Sequence, residues 1–252
     1  MEIQRVSVNH GWLWIMHAYR LLMRSPLQAL SMAMAFAMLM FLIMLVPVVG
    51  PLLAILTMPV LMAGYARTCK ALEFSAKVEP RFAFAGFENK TAKLANLGVM
   101  LLLGIMLVSI VTSALGGGAL NEILKAYQVH HDPNALLEAM LAPESGVRAA
   151  LFAGFALLFT LLLAMQFAPM LVFFNELTPL EALKQSLFAS VRNIIPFSVY
   201  SLIMQVFAFV LSAIPFGLGW IILLPIGLTS MYVAYRDIFS EPEKAEVQRV
   251  ET

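Results

Sequence analysis

The sequence predicts an all-α integral membrane protein with six transmembrane helices arranged as three hairpins. Hydrophobic residues make up 61% of its 252 residues and charged residues only 12%, about half the charged share of a soluble domain. The apolar residues form continuous runs, each close to the roughly 20 residues that a helix needs to cross a bilayer. A membrane β-barrel would instead show alternating apolar and polar residues.

The apolar runs define six expected spans. These are residues 27–46, 50–69, 94–115, 149–174, 194–214 and 218–236. The turns of the first and last hairpins contain proline and glycine and carry no charge, so one helix ends there and the next begins. The first apolar run is longer than the core of a signal peptide, so we expect no cleaved signal.

The spans belong to one membrane domain, residues 1–240, which a short tail follows at residues 241–252. The hairpins occupy about 10–70, 82–176 and 178–237. Fourteen of the 16 lysines and arginines lie on one side of the spans, and only Lys125 and Arg148 lie on the other. Because loops rich in basic residues stay in the cytoplasm, both termini are expected there.

An amphipathic helix is expected on the cytoplasmic side before each odd-numbered span. In residues 10–24, one face holds Trp12, Ile15, Met16, Tyr19, Leu22 and Met23, and the opposite face holds His10, His17, Arg20 and Arg24. Tryptophan and tyrosine, including Trp14, suit the headgroup zone, and arginine suits anionic lipid phosphates. This helix is therefore expected to contact lipid headgroups.

The third such helix begins at Thr178-Pro179-Leu180-Glu181, which has the pattern of a capping box with proline at the first helical position. The second copy, around residues 84–96, is less clearly amphipathic. We expect membrane lipids, above all anionic ones, to be bound by the first and third helices. The expected headgroup contacts are His10, Trp12, His17, Tyr19, Arg20, Arg24, Lys184 and Arg192.

A proline in the second span of every hairpin completes a recurring order of elements. Pro59, Pro169 and Pro225 occupy these positions. Short helix, span, turn and proline-bearing span then recur in the same sense, which predicts a parallel repeat with pseudo-threefold symmetry about the membrane normal. The alternative is that amphipathic boundary segments and membrane prolines occur here without a true repeat.

This layout resembles that of uncharacterised six-span bacterial inner-membrane proteins of the YciC-like kind. It is also similar to the membrane domain of some glycerophosphodiester phosphodiesterases. The residues that carry the resemblance are 183–196, with Ser186, Arg192 and Asn193, then 217–225 and 234–237. The resemblance implies the fold and a multi-pass place in the bacterial inner (plasma) membrane. It transfers no catalytic residue, because the soluble phosphodiesterase domain has no counterpart here.

Polar but uncharged residues are the candidate functional residues inside the spans. Asp, Glu, Lys, Arg and His are missing near mid-membrane, which argues against proton- or sodium-coupled transport. Gln166, Tyr200 and Gln205 form a candidate intramembrane polar site. The alternative is that they make ordinary hydrogen bonds between helices.

Motifs for other chemistry are weak, so we expect no metal, no cofactor, no nucleic-acid partner and no enzyme. His130 and His131 lack further ligands at suitable spacing. The single cysteine, Cys69, is either a small apolar residue or a reactive thiol. Arg67, Glu176 and Arg236 mark the ends of the second spans, where they form either a salt-bridge cluster or separate solvated anchors.

The extracytoplasmic loop, residues 116–147, opens with three glycines and contains two amphipathic stretches, 120–127 and 134–141. It is either a contact for an envelope protein partner or a connector that lies on the membrane. The leading hypothesis for the whole chain is a non-enzymatic protein that organises lipid or partner proteins in envelope maintenance. The alternative is a permease or channel for a small or amphiphilic solute.

Overall fold

A computed structural model describes residues 3–74, 79–88, 90–130 and 146–239. Helices account for most of them. The α-helices are α1 (His10–Arg24), α2 (Pro26–Met44), α3 (Gly50–Glu73), α4 (Ala85–Glu88), α5 (Thr91–His130), α6 (Val147–Met165), α7 (Ala168–Asn175), α8 (Pro179–Arg192), α9 (Ile194–Ser212) and α10 (Gly219–Phe239). Two 3-10 helices lie at Pro80–Phe84 and Pro215–Gly217.

The six expected spans are confirmed among the described residues. They are Pro26–Met44, Gly50–Glu73, Thr91–Gly117, Val147–Asn175, Ile194–Ser212 and Gly219–Phe239. The second span is longer than expected because α3 continues past its apolar run to Glu73. Two spans keep an internal proline within one helix, whereas the fourth is interrupted between α6 and α7, just before Pro169.

The chain divides into two compact units, Met1–Val99 with Leu163–Thr252, and Met100–Leu162. In the first unit, the second spans of the hairpins pack together: α3 contacts both α7 and α10. In the 18-residue apolar stretch of each helix, 56% of α3 and 50% of α10 are buried, against 17% of α2 and 11% of α9. The second spans therefore form the interior of this unit, and the first spans of the outer hairpins cover it.

In the second unit, α5 and α6 approach closely at two glycines. A Cβ built on Gly154 would lie 2.4 Å from Oγ1 of Thr112, and one built on Gly104 would lie 2.7 Å from Cδ1 of Leu161. Small residues allow such approach between membrane helices, which gain stability from packing. The helical geometry of α5 is interrupted at Gly117, with φ of 58°, so the third span ends at the expected glycines.

Each short helix packs against the second span of the preceding hairpin, and the first short helix packs against the second span of the last hairpin. The 3-10 helix Pro80–Phe84 and α4 pack on α3, α8 packs on α7, and α1 packs on α10. The second short helix differs from the expectation of a helix around 84–96, because α5 already begins at Thr91. Lys90 adopts a left-handed φ of 61° between α4 and α5, which ends the shorter helix. The threefold symmetry itself stays a prediction.

Candidate functional site

The helix α1 packs against the bundle through a buried face that contains one large residue, Trp14, and the small residues Gly11 and Ala18. Trp14 and Ala18 are fully buried, and the indole N–H of Trp14 donates to Oδ2 of Asp237 over 3.0 Å. A Cβ built on Gly11 would lie 2.5 Å from the carbonyl oxygen of Pro196, so the glycine allows α1 to rest on the backbone of α9. The expectation that Trp14 lies among the lipid headgroups is therefore wrong.

The opposite face of α1 is exposed and keeps part of the expected lipid-contact set. Trp12 and Tyr19 are 43% and 50% exposed, and Met23 is 52% exposed. Arg20 and Arg24 are exposed beside them. We call these five residues the α1 outer strip.

One arginine of the strip is also bound to the protein. Nη1 of Arg24 donates to the carbonyl oxygen of Glu73 over 2.6 Å, which ties the end of α1 to the end of α3. Arg20 makes no such bond to the described residues and is therefore the better test of a charge effect. Ile15 and Leu22, which the helical periodicity placed with Trp12, are instead buried against the bundle.

The two histidines of α1 differ in their surroundings. His10 is half-buried, and its Nδ1 lies 2.9 Å from Oγ of Ser7. His17 is also half-buried, and its Nδ1 has no hydrogen-bond partner among the described residues. Desolvation lowers the pKa of His17, an effect that Asp237 opposes and the nearby Arg236 strengthens. His17 is therefore harder to protonate than a fully exposed histidine.

The capping box that begins α8 is confirmed. Oγ1 of Thr178 accepts from the backbone N–H of Glu181 over 3.4 Å, and Oε2 of Glu181 accepts from the backbone N–H of Thr178 over 3.2 Å. The bonds from Thr178 hold the pKa of Glu181 below its usual value. Lys184 and Arg192 are exposed, as a headgroup contact requires.

The buried face of α8 is made of small residues and repairs the break in the fourth span. Oγ of Ser186 accepts from the backbone N–H of Phe167 and donates to the carbonyl oxygen of Leu163, both over 3.0 Å. Oγ of Ser190 also donates to Leu163, over 3.2 Å. These two backbone groups would bond each other in an unbroken helix, so Ser186 satisfies both where the helix is interrupted.

Asn193 joins the N-terminal segment to the junction of α8 and α9. Its side chain is fully buried. Oδ1 accepts from the backbone N–H of Val6 over 2.9 Å, and Nδ2 donates to the carbonyl oxygens of Gln4 and Ala189, both over 3.0 Å. The backbone N–H of Gln4 also donates to the carbonyl oxygen of Ile238 over 2.9 Å. The segment that precedes α1 is therefore held against the bundle.

The charged residues at the ends of the second spans form separate pairs. Arg236 forms an ion pair with Glu73 and lies 3.4 Å from Asp237. Glu176 pairs with Lys90 over 2.8 Å, which holds the pKa of Glu176 below its usual value. The guanidinium of Arg67 lies 5.3 Å from the centre of the Phe82 ring. Neither a single cluster of Arg67, Glu176 and Arg236 nor three plain solvated anchors describes this arrangement.

Sequence reasoning missed a polar stripe along α3, formed by Tyr65, Cys69 and Glu73. The Tyr65 hydroxyl lies 3.0 Å from Oγ1 of Thr229, and the sulfur of buried Cys69 lies 3.8 Å from the same atom. The Tyr232 hydroxyl donates to Oε2 of Glu73 over 2.6 Å. The spacing of four residues was the available signal, because such residues share one face of a helix.

The candidate intramembrane polar residues are only partly brought together. The Tyr200 hydroxyl lies 2.7 Å from Oγ of Ser230, and Nε2 of Gln166 lies 3.6 Å from the sulfur of Met231. Both therefore contact adjacent residues of α10, whereas Gln205 is exposed on α9. The contacts of Tyr200 and Gln166 are therefore contacts between helices, and Gln205 does not take part in them.

Residues 131–145 of the loop expected at 116–147 lie outside the described residues, and with them the second of its amphipathic stretches and His131. Its first stretch, 120–127, belongs to the part of α5 that follows Gly117. The partner contact proposed for this loop therefore stays a prediction.

No family model matches the sequence, and no solved structure matches it. The chain is similar to a probable inner membrane protein of Burkholderia thailandensis, with 28% identity over 265 aligned positions that cover 96% of each chain. That name states a location and no activity. Together with the six spans, the similarity supports an inner-membrane protein.

Proposed function

We propose that this six-span protein binds anionic lipid headgroups at the inner membrane and organises lipid or partner proteins there, without catalysing a reaction. The observation that carries the proposal is the α1 outer strip. Two aromatic residues, a methionine and two arginines are exposed on a helix whose other face is anchored by Trp14. Aromatic rings and arginines together suit the boundary between hydrocarbon and headgroups.

Anchoring of α1 strengthens the expected contact with lipid. Because the indole of Trp14 is bonded to Asp237 and Gly11 rests on α9, the strip is held in place before lipid arrives. A preorganised surface loses less conformational entropy on binding. Each basic residue near an anionic leaflet contributes about 1 kcal/mol, and α8 adds Lys184 and Arg192.

The cytoplasmic location of both termini is part of the proposal. It is supported by the one-sided distribution of lysine and arginine. Reporter fusions at Lys77 and Gln185 are expected to read cytoplasmic, and a fusion at Asp132 is expected to read periplasmic. A periplasmic signal at Lys77 would contradict the orientation.

The relation to YciC-like proteins and to the phosphodiesterase membrane domain is likewise proposed, with support from the six spans and from similarity to a probable inner membrane protein. The permease alternative needs Gln166, Tyr200 and Gln205 around one path. Exposure of Gln205 on α9 gives that alternative less support than the lipid-binding role.

Charge reversal on the two short helices tests the lipid role. The variant carries Arg20→Glu and Arg192→Glu, and the control carries Arg20→Lys and Arg192→Lys, which keeps the charge. Arg24 is left intact because it bonds to the end of α3. Native mass spectrometry should show fewer retained phosphatidylglycerol molecules for the glutamate variant alone. Equal retention by wild type and glutamate variant would make α1 and α8 structural braces only.

A further inference from the structure

An apolar groove lies between α2, α3 and the 3-10 helix Pro80–Phe84, separate from the α1 outer strip. About 320 Å³ of space lies in and in front of the groove, with its open side counted. Its walls are formed by Met32, Ala35, Phe36 and Leu39 of α2, by Leu61, Tyr65 and Thr68 of α3, and by Ala83 and Phe84. Because the groove is half open, an apolar chain reaches it from the outside and rests against its accessible residues.

The two polar side chains in the groove already have partners. The hydroxyl of Tyr65 lies 3.0 Å from Oγ1 of Thr229, and the hydroxyl of Thr68 donates to the carbonyl oxygen of Gly64 over 3.3 Å. They therefore offer little to a polar solute. A lining of this kind does not hold water well, and the groove lies between two membrane-spanning helices. Hydrocarbon from the bilayer is the molecule that fits both facts.

A basic side chain lies beside one end of this groove. Arg67 precedes the groove residue Thr68 and is exposed, and its guanidinium lies 5.3 Å from the centre of the Phe82 ring, next to the groove residue Ala83. Within the described residues, Arg67 makes no ion pair with a carboxylate, and Glu79, which is close to Phe82 in sequence, pairs with Arg81 over 2.6 Å. The charge of Arg67 is thus held by an aromatic face and is available to an anion.

The 3-10 helix is positioned tightly enough to shape this end of the groove. A Cβ built on Gly64 would lie 2.2 Å from the carbonyl oxygen of Ala83, so glycine allows the backbone of the 3-10 helix to rest directly on α3. Phe82 and Phe84 are carried by the same short helix. This close packing fixes the position of Phe82, the aromatic partner of Arg67, and of Phe84, which forms part of the apolar wall.

We propose that this groove is a specific site for one anionic glycerophospholipid. One acyl chain lies against Ala35, Phe36 and Phe84, the more accessible residues of the lining, and the phosphate meets the guanidinium of Arg67. Arginine suits this role because its planar group donates several hydrogen bonds to phosphate while its face remains on an aromatic ring. The site goes beyond the surface contacts of α1 and α8, because it holds a single lipid by both its tail and its headgroup.

The test uses the full-length protein in nanodiscs of phosphatidylethanolamine doped with phosphatidylglycerol that carries a diazirine on one acyl chain. After illumination, mass spectrometry maps the labelled peptides. Labelling of segments 35–39 and 82–84 is expected to exceed labelling of the exposed face of α9 around Phe209. The same probe with a phosphatidylcholine headgroup should lose this preference.

Two variants separate the tail from the headgroup. Ala35→Leu fills the groove from an exposed position, with Ala156→Leu on α6 as the matched control. Arg67→Gln removes the charge, with Arg5→Gln, at another exposed arginine, as the control. We expect Ala35→Leu to abolish the preferred labelling, and Arg67→Gln to weaken phosphatidylglycerol binding there about fivefold. Neither control should change the labelling of the groove.

Uniform labelling of groove and α9 in the wild-type protein would overturn the site, as would equal labelling by the two headgroups. Ala35→Leu changes no charge, so it decides the matter even where Arg67→Gln alters the fold. The outcome is independent of the test for the lipid role of α1 and α8. Loss of lipid in the Arg20 and Arg192 glutamate variant with an unlabelled groove would retain that role and remove this inference.

Discussion

Removal of the Glu73 carboxylate is expected to destabilise the bundle strongly. Only 10% of the Glu73 side chain is exposed, and it receives both the Arg236 guanidinium and the Tyr232 hydroxyl. Loss of one partner from a fully buried ion pair costs about 3–5 kcal/mol, because the other charge is left unpaired. Since 31% of the Arg236 side chain is exposed, water offsets part of this loss, and about 2–3 kcal/mol remains.

The measurement is a double-mutant cycle on the free energy of unfolding. Glu73→Ala, Arg236→Ala and the double variant are unfolded by SDS in mixed micelles and followed by far-ultraviolet circular dichroism. Residues in one ion pair commonly show a coupling energy of about 0.5–3 kcal/mol, and we expect the upper part of that range. The bond from Arg24 to the Glu73 carbonyl oxygen survives in all variants because it involves the backbone.

Glu176→Ala is the matched control. Glu176 also lies at the end of a second span and pairs with Lys90 over 2.8 Å, but 75% of its side chain is exposed. Exposed ion pairs contribute little to stability, so this variant should unfold close to wild type. Equal losses for Glu73→Ala and Glu176→Ala, or a double variant whose loss is the sum of the single losses, would refute the reasoning.

Three other outcomes follow from local geometry. Ser186→Ala should lower the free energy of unfolding by about 1–3 kcal/mol, because two backbone groups at the break in the fourth span lose their partner, while Ser198→Ala, an exposed site, should not. Val48→Gly should raise it by about 1 kcal/mol, since Val48 is exposed with φ of 66°, and an unchanged value would argue against strain there. Because the folded-state pKa of His17 is lowered, its contribution is present above about pH 6.5 and is lost as the pH falls through the folded value. His17→Gln should reduce this acid-induced loss of stability, as measured by unfolding between pH 7.5 and 5.5.

The spans were predictable because hydrocarbon imposes a simple requirement on sequence, namely long apolar runs. The capping box at Thr178 and Glu181 was equally predictable, because it depends on neighbours in the chain. The length of α3 was not, because a helix stabilised by packing continues beyond the apolar run. Glu73 lies beyond the expected end of the second span at residue 69, although it belongs to the same helical face as Tyr65.

The buried face of α1 was mispredicted for a physical reason. The hydropathy of a residue indicates whether it avoids water. It does not indicate whether the residue faces lipid or the protein interior, because both surroundings are apolar. Trp12 and Trp14 are thus alike by hydropathy, yet one is exposed and the other is fully buried. The small residues Gly11 and Ala18 are the better guide to the packed side, because they let backbones approach.

The hydrogen bonds of Ser186 give the fourth span a mechanical link to α8. A helix with a complete backbone ladder moves independently of a neighbour that merely touches it. Here the ladder is completed by a side chain of α8, so any displacement of α8 strains the bonds to Phe167 and Leu163. Bending of the fourth span at its break is therefore coupled to movement of α8.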